Sequence, residues 1–151
     1  MVNKMKKAIL VTLLAMVSSA HGANNTNESP DDRLIACTAS AQAISERKAC
    51  FEAAYQGWEG IMNQQYQLLM RDKSQTVKDS LKKSQDAWIQ YRDAYIEAAE
   101  NTYWEFEAVD GQKKDEKVEG TWQVLTYDMK VRMVRERATE LLQVRRSILD
   151  F

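Results

Sequence analysis

Residues 77–95 read VKDSLKKSQDAWIQYRDAY. Val77, Leu81, Ser84, Trp88, Tyr91 and Tyr95 recur there at spacings of four and three. That alternation keeps one side of an α-helix facing a neighbour, and its heptad-like form suits antiparallel packing. The segment upstream repeats the pattern. Phe51, Tyr55, Trp58, Met62, Tyr66 and Leu69 again recur three or four apart, one apolar helical face. Gly57 and Gly60 interrupt it, each costing about 1 kcal/mol relative to alanine, and a close helix crossing would account for both. One proline and five glycines in 151 residues leave too little punctuation for a turn-rich β architecture.

The pattern extends outward to an all-α chain: an antiparallel bundle of three long helices plus a short N-terminal helix, stapled by one disulfide. Ser29-Pro30-Asp31-Asp32 combines a capping serine, a proline suited to the first helical position and two acids at the positive end of the dipole. The helix it starts is expected to reach about Ala43. Ser45 is expected to cap a second helix that stops between Arg71 and Ser74. A third starts at Ser74 or Gln75 and ends between Trp104 and Glu107. A charged segment, 108–120, follows, bracketed by Gly111 and Gly120. Thr121 opens the last helix, which reaches Leu149. Tyr127, Val131, Val134, Ala138, Leu141 and Ile148 mark its buried face, with Arg132, Arg135, Arg137, Arg145 and Arg146 on the other side.

The N-terminus reads as an address. Lys4, Lys6 and Lys7 precede an apolar run, Ala8 to Val17, too short to span a bilayer as a helix. Ser18 and Ala20 then sit where a signal peptidase reads small residues. The expected organisation is a cleaved signal peptide at 1–22, a polar leader at 23–29 and one domain at 30–151. An uncleaved anchor is the alternative. Leu34-Ile35-Ala36-Cys37 has the form of a lipoprotein box, but the polar stretch Asn24 to Arg33 separates it from the apolar run. Loss of residues 1–22 removes three lysines and leaves 18 cations against 22 acids, a net charge of −4. No basic block remains, which argues against a nucleic-acid partner, and no second apolar run reaches membrane-spanning length. The expected location is the periplasm or the medium.

Two cysteines, Cys37 and Cys50, are present. In an exported chain a bridge between them is the favoured reading, two buried thiols the other. The bridge would close a loop of about 14 residues, contributing roughly 3 kcal/mol in the chain-entropy model.

Most enzyme chemistry lacks its parts. The single histidine, His21, lies at the expected cleavage site, which removes Ser-His-Asp and Cys-His catalysis and histidine zinc sites. No Gly-rich phosphate loop appears, and no cofactor or metal is expected. Glu97, Glu100, Glu105 and Glu107 could in principle supply paired carboxylates, but a solvated acidic face is the favoured reading. Trp88 and Arg92, four apart, can make a cation–π contact of about 1 kcal/mol. The aromatic residues exceed what a minimal core needs, so a partner surface could use the excess.

Met62-Asn63-Gln64-Gln65-Tyr66 followed by Leu81-Lys82-Lys83-Ser84-Gln85-Asp86-Ala87-Trp88-Ile89-Gln90-Tyr91-Arg92-Asp93-Ala94 resembles the lysozyme-inhibitor LprI N-terminal-like family of small secreted bacterial helical proteins. Met62, Asn63, Tyr66, Leu81, Gln85, Trp88, Arg92 and Asp93 carry the likeness. Cys37, Cys50 and Glu59 fit the family's opening, and Arg135-Glu136-Arg137 with Glu140-Leu141 its closing helix, so the similarity covers about residues 37 to 142. Members often have a second cysteine pair. Here its places hold Ile96 (or Tyr95) and approximately Lys130, so the third and fourth helices lack that tie. The resemblance implies a helical bundle and a protein partner, lysozyme in some relatives.

Together these readings point to an exported binding protein, an inhibitor of lysozyme-type glycosidases. The rival is an envelope-maintenance module with another protein partner. An acidic chain would be steered toward a basic enzyme. Asp110, Lys113, Lys114, Asp115 and Lys117, in the charged segment, are the candidate partner-binding residues, since loops of this kind carry function more often than their scaffold does.

Overall fold

The computed structural model describes residues 28–109 and 116–149. The described residues form four helices, α1 (Pro30–Ser40), α2 (Ile44–Met70), α3 (Gln75–Val109) and α4 (Glu116–Leu149), and no strand. No helix is long and apolar enough to cross a membrane among the described residues. The segment read as a signal peptide, and most of the leader, lies outside them.

Helix α1 starts where its sequence signal stands. The Ser29 hydroxyl accepts from the Asp32 amide at 3.1 Å, and the Asp32 carboxylate accepts from the Ser29 amide at 3.1 Å, a reciprocal cap. These bonds hold the Asp32 carboxyl below its ordinary value. The helix stops at Ser40, before the expected Ala43. Thr38 and Ser40 hydroxyls donate back to the carbonyls of Leu34 and Cys37, competing with helix continuation. The chain must also reverse so that Cys37 meets Cys50, to which it is disulfide-bonded with Cα atoms 5.7 Å apart.

The second cap differs from the expected one. Helix α2 begins at Ile44 with Ala43 as N-cap, and Ser45 lies inside its first turn. Glu46 does the capping: its carboxylate accepts from the amides of Gln42 and Ala43 at 2.6 and 3.1 Å. Helix α2 ends at Met70, and the turn to α3 passes through Asp72 at φ 57°, a left-handed position that aspartate tolerates.

Helices α3 and α4 are both longer than expected. Ala108 and Val109 belong to α3, and α4 starts at Glu116 rather than Thr121, so the described residues of the segment 108–120 are helical at both of its ends. Gly120 sits within α4 instead of bracketing a loop. A Cβ there would overlap Ile44 Cγ2 at the start of α2. The glycine thus permits a close α2–α4 approach, while Glu and Lys around it are good helix formers.

Helix α3 runs antiparallel to both α2 and α4, which makes α2 and α4 parallel. Arg137 of α4 meets Gln85 of α3, Lys130 meets Glu100, and the Tyr103 and Trp122 rings stack with centroids 4.7 Å apart. The core joins α2 to α4 through Met62, Leu69, Val134, Ala138 and Leu141, with Tyr55, Trp58, Ile61, Tyr66, Leu81 and Trp88 packed around it. Helix α1 lies antiparallel on α2. A Cβ at Gly57 would stand 3.1 Å from Pro30 Cγ, so that glycine does mark a close crossing. Gly60 faces open space, and the crossing argument fails for it.

The buried face of α3 is rotated from the expected seam. Tyr91 and Tyr95 are 59% and 49% exposed and Val77 is also exposed, whereas Gln85 and Ile96 are buried. Apolar spacing alone misplaced the stripe because two of its inward members, Gln85 and Arg92, are polar. Ile148 is likewise exposed. The core ends with Leu69 of α2 and Leu141 of α4, so the last turns of α4 project past their neighbour.

Candidate functional site

The motif residues 62–93 assemble into one buried layer and its rim. Met62 is buried on α2, Gln85 on α3, and Gln85 Nε2 donates to Met62 Sδ at 3.6 Å. Arg137, expected on the outer side of α4, is buried instead. Its Nε donates to Gln85 Oε1 at 3.1 Å, and its terminal nitrogens reach Ser84 Oγ at 3.2 Å and Glu140 at 2.7 Å. Arg92 and Arg137 both lie against the Trp88 ring, 5.3 and 5.8 Å from its centroid. The expected Trp88–Arg92 contact is therefore present, doubled by a cation from another helix. Leu81 and Tyr66 pack on the core, while Asn63 and Asp93 are exposed. The motif is chiefly the device that ties α2, α3 and α4 together.

Two grooves flank α3. The first, between α2, α3 and α4, encloses about 430 Å³ and is lined by Glu52, Tyr55, Glu59, Arg92, Glu97 and Lys130 among others. Arg92 bonds Asp93 at 2.8 Å and lies 3.8 Å from Glu59. Burial works against its charge, but Asp93, Tyr55 and Glu59 outweigh burial and raise the guanidinium above its ordinary value. The Tyr55 hydroxyl donates to Glu59 at 3.1 Å. Burial first, then Glu59, push that phenol up, with Arg92 opposing. Tyr127 is pushed up by burial and then by Glu52. Five carboxylates line this groove against two cations, so its field is negative.

The second groove, between α3 and α4 on the opposite flank, encloses about 590 Å³. Trp88, Tyr91, Tyr95, Tyr103, Met129 and Met133 give it an aromatic and thioether wall. The Tyr91 and Tyr95 rings are in contact, with centroids 5.9 Å apart.

Among the described side chains, Glu97, Glu100 and Glu105 form no carboxylate pair, and the side chain of Glu107 lies outside them. Glu100 lies 3.5 Å from Lys130, and Glu97 and Glu105 are exposed. Glycoside chemistry needs two carboxyls in contrasting environments. Among the described residues, no group of three or more His, Cys, Asp or Glu could hold a metal ion. Of the charged-segment candidates, Asp110, Lys113, Lys114 and Asp115 lie outside the described residues, and Lys117 falls in the first turn of α4.

Sequence reasoning missed one junction. Asp31 of α1 accepts from Trp58 Nε1 of α2 at 2.9 Å and pairs with Arg135 of α4 at 3.1 Å. One carboxylate thus joins three helices. Nothing local marks Asp31 for this role, because its ion-pair partner is 104 residues away.

The family described as Lysozyme inhibitor LprI matches residues 37–141, a span that contains the disulfide, the motif layer and both grooves. No curated protein and no solved structure matches the chain.

Proposed function

This chain belongs to the lysozyme-inhibitor LprI family, and from that membership we propose that it is an exported protein that binds and inhibits a lysozyme-type glycosidase. The family match over 37–141 carries the reading. Other observations agree with it. The basic, then apolar, then small-residue N-terminus fits export, and a disulfide fits an oxidising compartment. The net charge of −4 beyond residue 22 and the negative groove beside α3 would steer a basic enzyme toward the bundle. The connector 110–115 is the segment proposed to enter the substrate cleft.

The experiment is a cell-wall turbidity assay with the purified mature protein. Lysis by a c-type lysozyme should slow in proportion to added protein, and added salt should weaken the effect. Replacing 110–115 by a short Gly-Ser link should leave helicity intact and abolish inhibition. Lysis that proceeds undiminished at every ratio and at low salt would end the inhibitor reading in favour of an envelope-maintenance module.

A further inference from the structure

The outward face of α3 carries three kinds of residue in parallel strips. At 100° per residue, Ala87, Gln90, Ala94 and Ala98 point away from the bundle, and all four are exposed. Tyr91 and Tyr95 rise along one side of this strip, Asp93 and Glu97 along the other. Alanines form the floor from Ala94 to Ala98, so a partner backbone or helix can approach closely there between an aromatic wall and an acidic one.

The charge of α3 itself is one-sided, while the groove behind the tyrosines balances Arg132 and Arg137 with Glu136 and Glu140 from α4. Arg92 is the single cation between Ser84 and Val109, against Asp86, Asp93, Glu97, Glu100, Glu105 and Glu107. Its guanidinium turns inward, 14% exposed, and is engaged by Asp93, Glu59 and the Trp88 ring. It offsets Asp93, as Lys82 does Asp86 and Lys130 does Glu100, so the negative field outside comes from Glu97 and from the groove's five carboxylates against two cations. The tyrosines, half exposed in ring contact and backed by the groove holding Trp88, Met129 and Met133, have the composition of an interface core.

We propose that this face of α3 is the docking surface for a basic protein. A partner lysine or arginine over the Tyr91 or Tyr95 ring gains a cation–π contact, and a second partner cation across the alanine strip meets Glu97. The proposal rests on the inhibitor reading and adds a second contact surface to the segment 110–115. An anionic membrane or nucleic acid would be repelled here. A neutral glycan would stack on the tyrosines and would not depend on the sign of the charge at residue 97.

Titration calorimetry of the mature protein against a c-type lysozyme tests it, with Tyr91→Ser/Tyr95→Ser, Glu97→Lys and, on α1, the exposed control Ile35→Ser. Removing both tyrosines should weaken binding at least about 30-fold, as interface anchors do. Glu97→Lys should weaken it about tenfold and flatten its salt dependence. Ile35→Ser should change nothing, and circular dichroism should show all variants folded. Full affinity in the tyrosine variant, with wild type binding, overturns the docking face and leaves the inhibitor reading standing. No binding by wild type overturns both. Binding of a peptidoglycan oligosaccharide that is lost with the tyrosines but indifferent to Glu97→Lys would also overturn the proposal.

Discussion

Replacing Arg137 by methionine, alone and together with Gln85→Leu, asks whether the buried layer is one coupled unit. Methionine keeps much of the arginine stem and removes its donors. The bond to Glu140 contributes little, because that carboxylate is 60% exposed and returns to water, a loss of about 0.5 kcal/mol. Ser84 is exposed and also finds water. Gln85 cannot: it is 7% exposed, and stranding its Oε1 costs about 1–3 kcal/mol. The lost cation over Trp88 adds about 1 kcal/mol. Arg137→Met should therefore destabilise by about 2.5–4.5 kcal/mol, a sum in which the stranded oxygen dominates. Gln85→Leu alone strands the guanidinium Nε instead and should cost a similar amount. The double variant strands neither group, keeps only the losses at Glu140 and Trp88, and should return to within about 1.5 kcal/mol of wild type. Urea unfolding followed by tryptophan fluorescence gives the four stabilities, and the cycle should show a coupling of about 2 kcal/mol or more. A double variant as unstable as the two single losses added together would refute the reasoning.

The two glycines of contrasting surroundings should respond with opposite signs. Gly60→Ala should stabilise by up to about 1 kcal/mol, since the added methyl meets nothing and the helix gains propensity. Gly120→Ala should destabilise by about 1–3 kcal/mol through the clash with Ile44, and thermal melts of both variants decide the matter. Reducing the Cys37–Cys50 bridge should lower stability by roughly 3 kcal/mol while the chain stays helical, and an unchanged urea midpoint would contradict this. Acid should weaken the caps. The folded-state pKa values of Asp32 and Glu46 lie below their ordinary 3.8 and 4.5, so the folded chain binds fewer protons than the unfolded one there. Their contribution is thus present at neutral pH and fades as pH falls below about 4.5. Asp32→Asn/Glu46→Gln should show a shallower acid limb of stability against pH, and an unaltered limb would count against the capping account.

Helix number and order, the α1 cap and the partnership of the two cysteines were legible in the chain because each depends on near neighbours or on simple counts. Spacing of three and four identifies a helix from one segment alone, and Ser29, Pro30 and Asp32 act within one turn. The faces on α2 and on α4 as far as Leu141 were legible too, since their buried members are mostly apolar. Helix α3 was misread where polarity and burial part company. Gln85 and Arg92 face inward there, with Arg137 meeting them from α4, while Tyr91 and Tyr95 face water. A pattern that counts apolar residues turns the helix toward its tyrosines.

Composition and local periodicity thus determined that this is a disulfide-stapled bundle of helices, because helix formation is read a few residues at a time. Only the tertiary structure decided which side of α3 is inside and that Asp31 joins three helices. It also decided that Gly120 serves a helix contact and that an aromatic flank and an acidic flank share one outward face. Each of these depends on groups brought together from distant parts of the chain. Whether a side chain is buried or bare is a property of the neighbours it meets, and those neighbours are chosen when α2, α3 and α4 close on one another.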